Sequence, residues 1–168
     1  YVYERPGLKT LVSPGRFDPI TVGHLDIIRR AANMTDKLIV TVMNNPEKHC
    51  FFSLEDRVEM IKKSVKGIDN VEVDHSEGLM VEYMRATGAA AAVRGLRALT
   101  DYEYELQWYT FNKKMDPAFD AIFMMALPEH NFLSSSIVRE IGRLGGDISK
   151  MVSPEIHGFV KNKLEKTR

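Results

Sequence analysis

The stretch Lys9–Met43, KTLVSPGRFDPITVGHLDIIRRAANMTDKLIVTVM, decides the fold. It opens on a short extended run, Lys9 to Ser13, that ends at Pro14-Gly15. A loop follows, and then Leu25, Ile28 and Ala32 recur at i, i+3 and i+7. That spacing predicts a helix from about Val22 to Asn33 with one buried stripe. Lys37–Met43 (KLIVTVM) is rich in branched residues and reads as a buried strand. A strand, a helix and a second buried strand are the start of an alternating pattern.

The pattern continues along the chain. Residues 44–52 are a polar loop, and Ser53 starts a helix. Ser53 and Asp56 have capping-box spacing, with Leu54, Val58, Ile61 and Val65 on one face and Gly67 as the stop. Val71–Asp74 is a strand, Leu79–Thr87 a helix stopped at Gly88, and Ala89–Val93 a strand of small residues. Leu99–Met115 is a long helix with two apolar stripes. One is Tyr104, Trp108, Phe111 and Met115; the other is Tyr102 and Leu106. That much apolar circumference predicts a contact with another subunit. Ala121–Ala126 is a fifth strand. Ser134–Leu144 is a helix with Ile137, Ile141 and Leu144 turned inward. Ser153-Pro154 opens the last helix, which carries Ile156, Val160 and Leu164.

Strands alternating with helices about five times predict an α/β fold: a Rossmann-like, doubly wound, five-stranded parallel sheet with helices on both faces. The 168 residues read as one domain, with residues 1–9 as an extension of no fold role. Lys plus Arg and Asp plus Glu balance at 23 each, which argues against broad electrostatic binding of nucleic acid. Cys50 is the single cysteine, so no disulfide framework forms within the chain, as in a reducing compartment. No apolar run is long enough to span a bilayer, and Tyr1–Lys9 lacks the apolar centre of a signal peptide. A cytoplasmic protein with no membrane partner is expected.

The loops after four strands hold the chemistry. They are Pro14 to His24, Asn44 to Lys48, Arg94 to Arg97, and His130-Asn131-Phe132-Leu133-Ser134-Ser135-Ser136. In a doubly wound sheet all four share one edge. Together they supply imidazole, ammonium, guanidinium and hydroxyl groups, with backbone amides at two helix N-termini. By inventory that is a polyphosphate site. Gly23 lets a phosphate approach the first helix, and His24 aims an imidazole at the same place. Arg94 and Arg97 can make forked contacts with phosphate oxygens. Singly, each has a bland alternative. His24 can be a surface histidine, Arg94 and Arg97 a solvated pair, Ser134 an ordinary cap, Lys48 a solvated lysine and Glu105 a helix-face charge. No P-loop, no dinucleotide fingerprint and no zinc-ligand spacing occurs, and Cys50 has no catalytic partners.

The strings PGRFDPITVGH (14–24), RGLRALTDYEYE (94–105) and FLSSSIVRE (132–140) resemble the signature segments of the bacterial phosphopantetheine adenylyltransferases. The resemblance runs from about Thr10 to Leu164. The Thr21-x-Gly23-His24 and serine-run motifs are common to a wider nucleotidyltransferase superfamily, and the 94–105 string is more specific. The resemblance implies transfer of an adenylyl group from ATP to 4'-phosphopantetheine. It implies that His24 stabilises charge on the α-phosphate, acting with Lys48 and Arg97. It assigns ATP to Arg16, Phe17, His24, Gly95, Leu96, Arg97, Glu105 and His130 to Ser136. It assigns phosphopantetheine to Arg16, Lys48, Arg94 and the segment around Met80. Mg2+ is expected with the nucleotide and a homohexamer as the assembly; no side chain is expected to ligate metal. Two positions depart from the family. Arg16 stands where Thr or Ser is usual, and His130 where an aromatic residue is frequent.

Two rivals define the tests. One is a related transferase acting on nicotinate mononucleotide or glycerol phosphate. The other is a nucleotide sensor without turnover.

Overall fold

The computed structural model describes residues 8–167. Five strands alternate with six helices: β1 (Leu8–Gly15), α1 (Val22–Ala32), β2 (Thr35–Met43), α2 (Leu54–Ser64), β3 (Val71–Ser76), α3 (Met80–Thr87), β4 (Ala91–Leu96), α4 (Leu99–Met115), β5 (Ala121–Met125), α5 (Ser135–Arg143) and α6 (Pro154–Glu165). A short 3-10 turn, Pro128–His130, precedes α5 and was not expected. β1 takes in Leu8 and Lys9, so the strand reaches into the segment read as extension. Residues 1–7 lie outside the described residues.

All pairings are parallel, in the order β3-β2-β1-β4-β5. The chain winds one way through β1, β2 and β3, then returns to β1's other side for β4 and β5. The order therefore reverses between β1 and β4, and a crevice opens beyond their carboxyl ends.

Strand alternation sorts side chains into two cores. Leu11, Leu38, Val40, Val42, Ala91 and Val93 face Leu25 and Ile28 of α1, Ile61 of α2, Val138 of α5 and Val160 of α6. Val12, Ile39 and Ala92 face Met80, Val81 and Met84 of α3 and Phe119, with Trp108 of α4 packed alongside. The sheet is thus covered on both faces, and its central strands are continuous apolar runs for that reason.

The helix caps follow sequence chemistry in part. Ser53 accepts from the Asp56 N–H, as its spacing predicts. Gly88 caps α3 at a φ of 66°, a left-handed conformation that glycine adopts without penalty. α2 instead ends at Ser64, before Gly67. Ser153 holds the cap position of α6, but its hydroxyl pairs with that of Ser64 at 2.8 Å.

Three expectations are corrected. β4 does not end at Val93: Arg94, Gly95 and Leu96 stay in register with Phe123, Met124 and Met125. Strand pairing overrides the weak β-propensity of Arg and Gly there. On α5 the buried residues are Val138 and Gly142, while Leu144 is 79% exposed. Gly142 packs closely on Leu164 of α6, and of the expected residues Ile141 packs against the first core while Ile137 is half-buried. On α4, Trp108 leaves the expected outer stripe and packs edge-on against Phe119 at 5.5 Å. Tyr104, Phe111, Met115, Tyr102 and Leu106 remain exposed.

Candidate active site

β1 delivers the chain into a loop whose backbone is held tightly. Phe17 adopts a φ of 51°, uncommon for a residue with a side chain. Its buried ring lies over Gly15, where a Cβ would approach it to 3.1 Å. Asp18 is buried. Its two carboxylate oxygens accept the Phe51 and Phe52 N–H groups at 2.8 Å each, and Arg139 of α5 sits 3.5 Å away. Arg139 also donates to the Asp18 carbonyl, and the Ser135 hydroxyl donates to the Pro19 carbonyl at 2.7 Å.

Thr21 caps α1 and His24 closes the cap from inside. The Thr21 hydroxyl accepts the His24 N–H at 3.3 Å, and His24 Nδ1 accepts the Thr21 N–H at 3.0 Å. Imidazole here takes the place of the glutamate of an ordinary capping box. Because Nδ1 accepts, the hydrogen-bond network assigns the ring proton to Nε2. Burial, and then the charges of Arg94 and Arg97, lower the His24 pKa to about 4. At neutral pH His24 is a neutral donor, oriented through Nδ1 and by an edge-to-face contact with Phe17 at 5.1 Å.

Both arginines near His24 are themselves oriented. Arg94 donates from Nε and Nη2 to the buried Glu105 carboxylate, at 3.0 Å and 2.7 Å, and from Nη1 to the Pro14 carbonyl at 2.9 Å. Its guanidinium also lies 5.1 Å from the centre of the Trp108 ring. Arg97 donates to Asp101 from Nε at 2.9 Å and to the Leu133 carbonyl from Nη1. Burial works against the Asp101 carboxylate, yet the Arg97 hydrogen bonds outweigh it and hold its pKa below the usual range. Each guanidinium keeps N–H groups beyond those engaged, since it carries five.

The loop after β5 packs on the first turn of α1. A Cβ on Gly23 would lie 3.6 Å from both His130 Cβ and Leu133 Cδ2. His130 Nδ1 is buried with no hydrogen-bond partner among the described residues. Ser134 caps α5 through the Ile137 N–H, Ser135 holds Pro19 and Ser136 is exposed. Phe132 is 91% exposed.

Fold and contacts thus bring together His24, Arg94, Gly95, Arg97, Glu105, His130, Leu133, Ser134 and Ser135. Three predicted residues stand apart. The Arg16 and Lys48 side chains are exposed and form no ion pair among the described residues. Met80 is buried in the second core rather than in the crevice. Beside it, a groove of about 520 Å³ between the loops after β2 and β3 is lined by Asn44, Ser76, Glu77, Leu79 and Glu82.

Sequence reasoning missed Arg57, which is 2% exposed on α2. The signal was present: Arg57 lies between Leu54 and Ile61 at helical spacing, a charge on an otherwise apolar face.

Residues 12–141 match the cytidylyltransferase-like family. A phosphopantetheine adenylyltransferase of Caldanaerobacter subterraneus subsp. tengcongensis is 44% identical over 160 residues, 95% of this chain and 100% of the relative. One of Thermotoga neapolitana is 46% identical over 154 residues, 92% of this chain and 96% of the relative. The chain belongs to the phosphopantetheine adenylyltransferase family. More distant solved structures share the fold of this family member. A bifunctional NMN adenylyltransferase/ADP ribose pyrophosphatase of Francisella tularensis, complexed with AMP and Mn ion, superposes with a TM-score of 0.68 at 19% identity, covering 94% of this chain and 49% of that one. A Plasmodium falciparum nicotinic acid mononucleotide adenylyltransferase complexed with NaAD gives 0.65 at 16% identity, covering 95% and 96%.

Proposed function

We propose that this chain transfers the adenylyl group of ATP to 4'-phosphopantetheine, giving dephospho-coenzyme A and pyrophosphate, the penultimate step of coenzyme A synthesis. The observation that carries the proposal is His24, a neutral, oriented Nε2–H donor set between two fixed guanidinium groups at the β1/β4 crevice. Family membership supplies the choice of substrates.

An oxygen of the acceptor's phosphate attacks the α-phosphorus, and the bond to the leaving pyrophosphate breaks. A phosphate monoester is already an anionic nucleophile, so no strong general base is required. The demand on the protein is to hold two mutually repelling anions in line and to neutralise the charge that develops. His24 donates to the α-phosphate. Arg97, with the amides at the N-terminus of α5 and the hydroxyls of Ser134 and Ser136, receives the β- and γ-phosphates. Arg16, Phe17, Gly95, Leu96, Glu105 and the 130–133 segment complete the ATP side. Arg94 and Lys48 hold the acceptor phosphate, and its arm runs toward the groove beside Met80.

The carboxylates around the crevice are engaged: Asp18 by amides and Arg139, Glu105 by Arg94, and Asp101 by Arg97. That favours a divalent cation, Mg2+, arriving on the nucleotide's phosphates as part of the substrate. The exposed residues Tyr102, Tyr104, Leu106 and Phe111 of α4 support a homohexamer in which α4 meets a neighbouring subunit. A cytoplasmic location agrees with the free thiol of Cys50.

The test is pyrophosphate release from ATP with phosphopantetheine, nicotinate mononucleotide, glycerol phosphate or no acceptor. Release with phosphopantetheine alone is the expected result. Preference for another acceptor would favour a related transferase, and ATP binding without release would favour a sensor.

A further inference from the structure

Arg57 is a buried guanidinium with no carboxylate within ion-pairing distance among the described residues. Burying an unpaired charge is costly unless its donors are matched. Here the matching groups are all neutral oxygens drawn from three segments. Nε donates to the Phe52 carbonyl at 3.2 Å, Nη1 to the Arg16 carbonyl at 3.1 Å, and Nη2 to Asn44 Oδ1 at 2.8 Å. Arg16 follows β1, Asn44 follows β2, and Phe52 precedes α2. One side chain therefore ties the β1 loop, which borders the crevice, to the loop after β2.

The contact with the Arg16 carbonyl has a geometric consequence. In a trans peptide the C=O and the following N–H point in opposite directions within one plane. Holding the Arg16 carbonyl toward α2 aims the Phe17 N–H the other way. That N–H has no hydrogen-bond partner among the described residues. Phe17 also keeps its φ of 51°, a conformation that persists where its surroundings over-determine it. A guanidinium on the carbonyl further polarises the peptide and strengthens the opposite donor.

We infer that Arg57 is a positioning residue: it fixes the Arg16–Phe17 peptide so that the Phe17 N–H serves as a preorganised donor to a phosphate oxygen of the nucleotide. The inference rests on the crevice being the nucleotide site, as in the proposed function. Arg57 itself touches no substrate. On the other side of the loop, Arg139 and Ser135 hold the Asp18 and Pro19 carbonyls, so the backbone is gripped from both α2 and α5.

The test uses Arg57→Met, which keeps length and apolar packing, and Arg57→Lys, which keeps charge but cannot span the acceptors. Three quantities are read on each: thermal midpoint, kcat with ATP and phosphopantetheine at 25 °C, and the amide resonance of Phe17 in protein labelled with 15N-phenylalanine, with and without saturating ATP. In the parent, ATP shifts the Phe17 resonance. In Arg57→Met that shift is lost, and kcat falls by about 10- to 100-fold at a temperature where the protein is folded. Arg57→Lys loses about tenfold in kcat and keeps part of the shift. A folded Arg57→Met with the parent's kcat and Phe17 shift overturns the inference, even if its thermal midpoint drops. Should Arg57→Met fail to fold, Arg57→Lys decides on the same terms. If the parent binds ATP but does not turn over phosphopantetheine, the proposed function fails, and the Phe17 resonance still decides the role of Arg57.

Discussion

The loops after β1 and β2 reach the same edge of the sheet and are built in opposite ways. In the first, Phe17 to Thr21 are buried, and three carbonyls are gripped by Arg57, Arg139 and Ser135. In the second, Asn45 to His49 are exposed and tied only locally, from Glu47 and Lys48 amides to Asn45, and the loop is held again only at its far end, where Asp18 accepts the Phe51 and Phe52 amides. Preorganised dipoles stabilise a transition state without reorganising, so the gripped loop suits the charge on ATP. The open loop suits an acceptor that must enter and leave, with Lys48 as an exposed cation to meet it.

Breaking the grip on the first loop should have the largest effect. Asp18→Ala removes the acceptor for two amides and leaves Arg139 short of a carboxylate. Urea denaturation should show a loss of about 3–5 kcal/mol. A loss below about 1 kcal/mol would mean the loop holds itself. The same test on the second loop should behave differently. Lys48→Ala should leave stability unchanged and raise KM for the acceptor roughly tenfold, with KM for ATP unaltered. An equal rise in both KM values would place Lys48 on the nucleotide instead.

Arg16 lies at the junction of the two halves, with its carbonyl gripped and its side chain exposed. Arg16→Ala should raise KM for a phosphate-bearing substrate by a few-fold, about 1 kcal/mol or less, more at low salt than at high salt. Arg16→Thr should partly restore it. Identical constants in all three proteins would show the guanidinium to be idle.

The last effect reads on stability through pH dependence rather than on turnover. His24 has a folded pKa of about 4 against an ordinary value of 6.5. Between those values the unfolded chain binds more protons, so stability rises with pH through that window and is flat above it. His24→Asn should remove that part of the slope in denaturation measured from pH 4 to 7. An unchanged slope would assign it to other groups.

The alternation of strands and helices was legible because short runs of branched apolar residues alternate with segments whose apolar residues recur every 3.6 positions. α4 has the expected bounds, Leu99–Met115. The end of β4 was not legible, since Arg94 and Gly95 are poor strand formers held by pairing with β5. The inner face of α5 was legible only in part: Ile141 packs against the first core, but Leu144 is exposed and Gly142 packs on Leu164. For the site, sequence indicated which loops converge, because topology alone sends four strand ends to one edge. It did not indicate which groups hold which. The Glu105 clamp on Arg94 and the reach of Arg57 join separate elements and leave no local periodicity, whereas the Asp101 clamp on Arg97 is an i, i+4 pair at the start of α4.

The most direct test of the gripped loop as the catalytic half is His24→Ala, with ATP affinity measured by calorimetry and turnover by pyrophosphate release on the same preparation. Loss of one preorganised donor should lower kcat by about 100-fold or more while the ATP Kd stays within a few-fold of the parent. A kcat within a few-fold of the parent, or a loss of ATP binding that matches the loss of rate, would contradict the account.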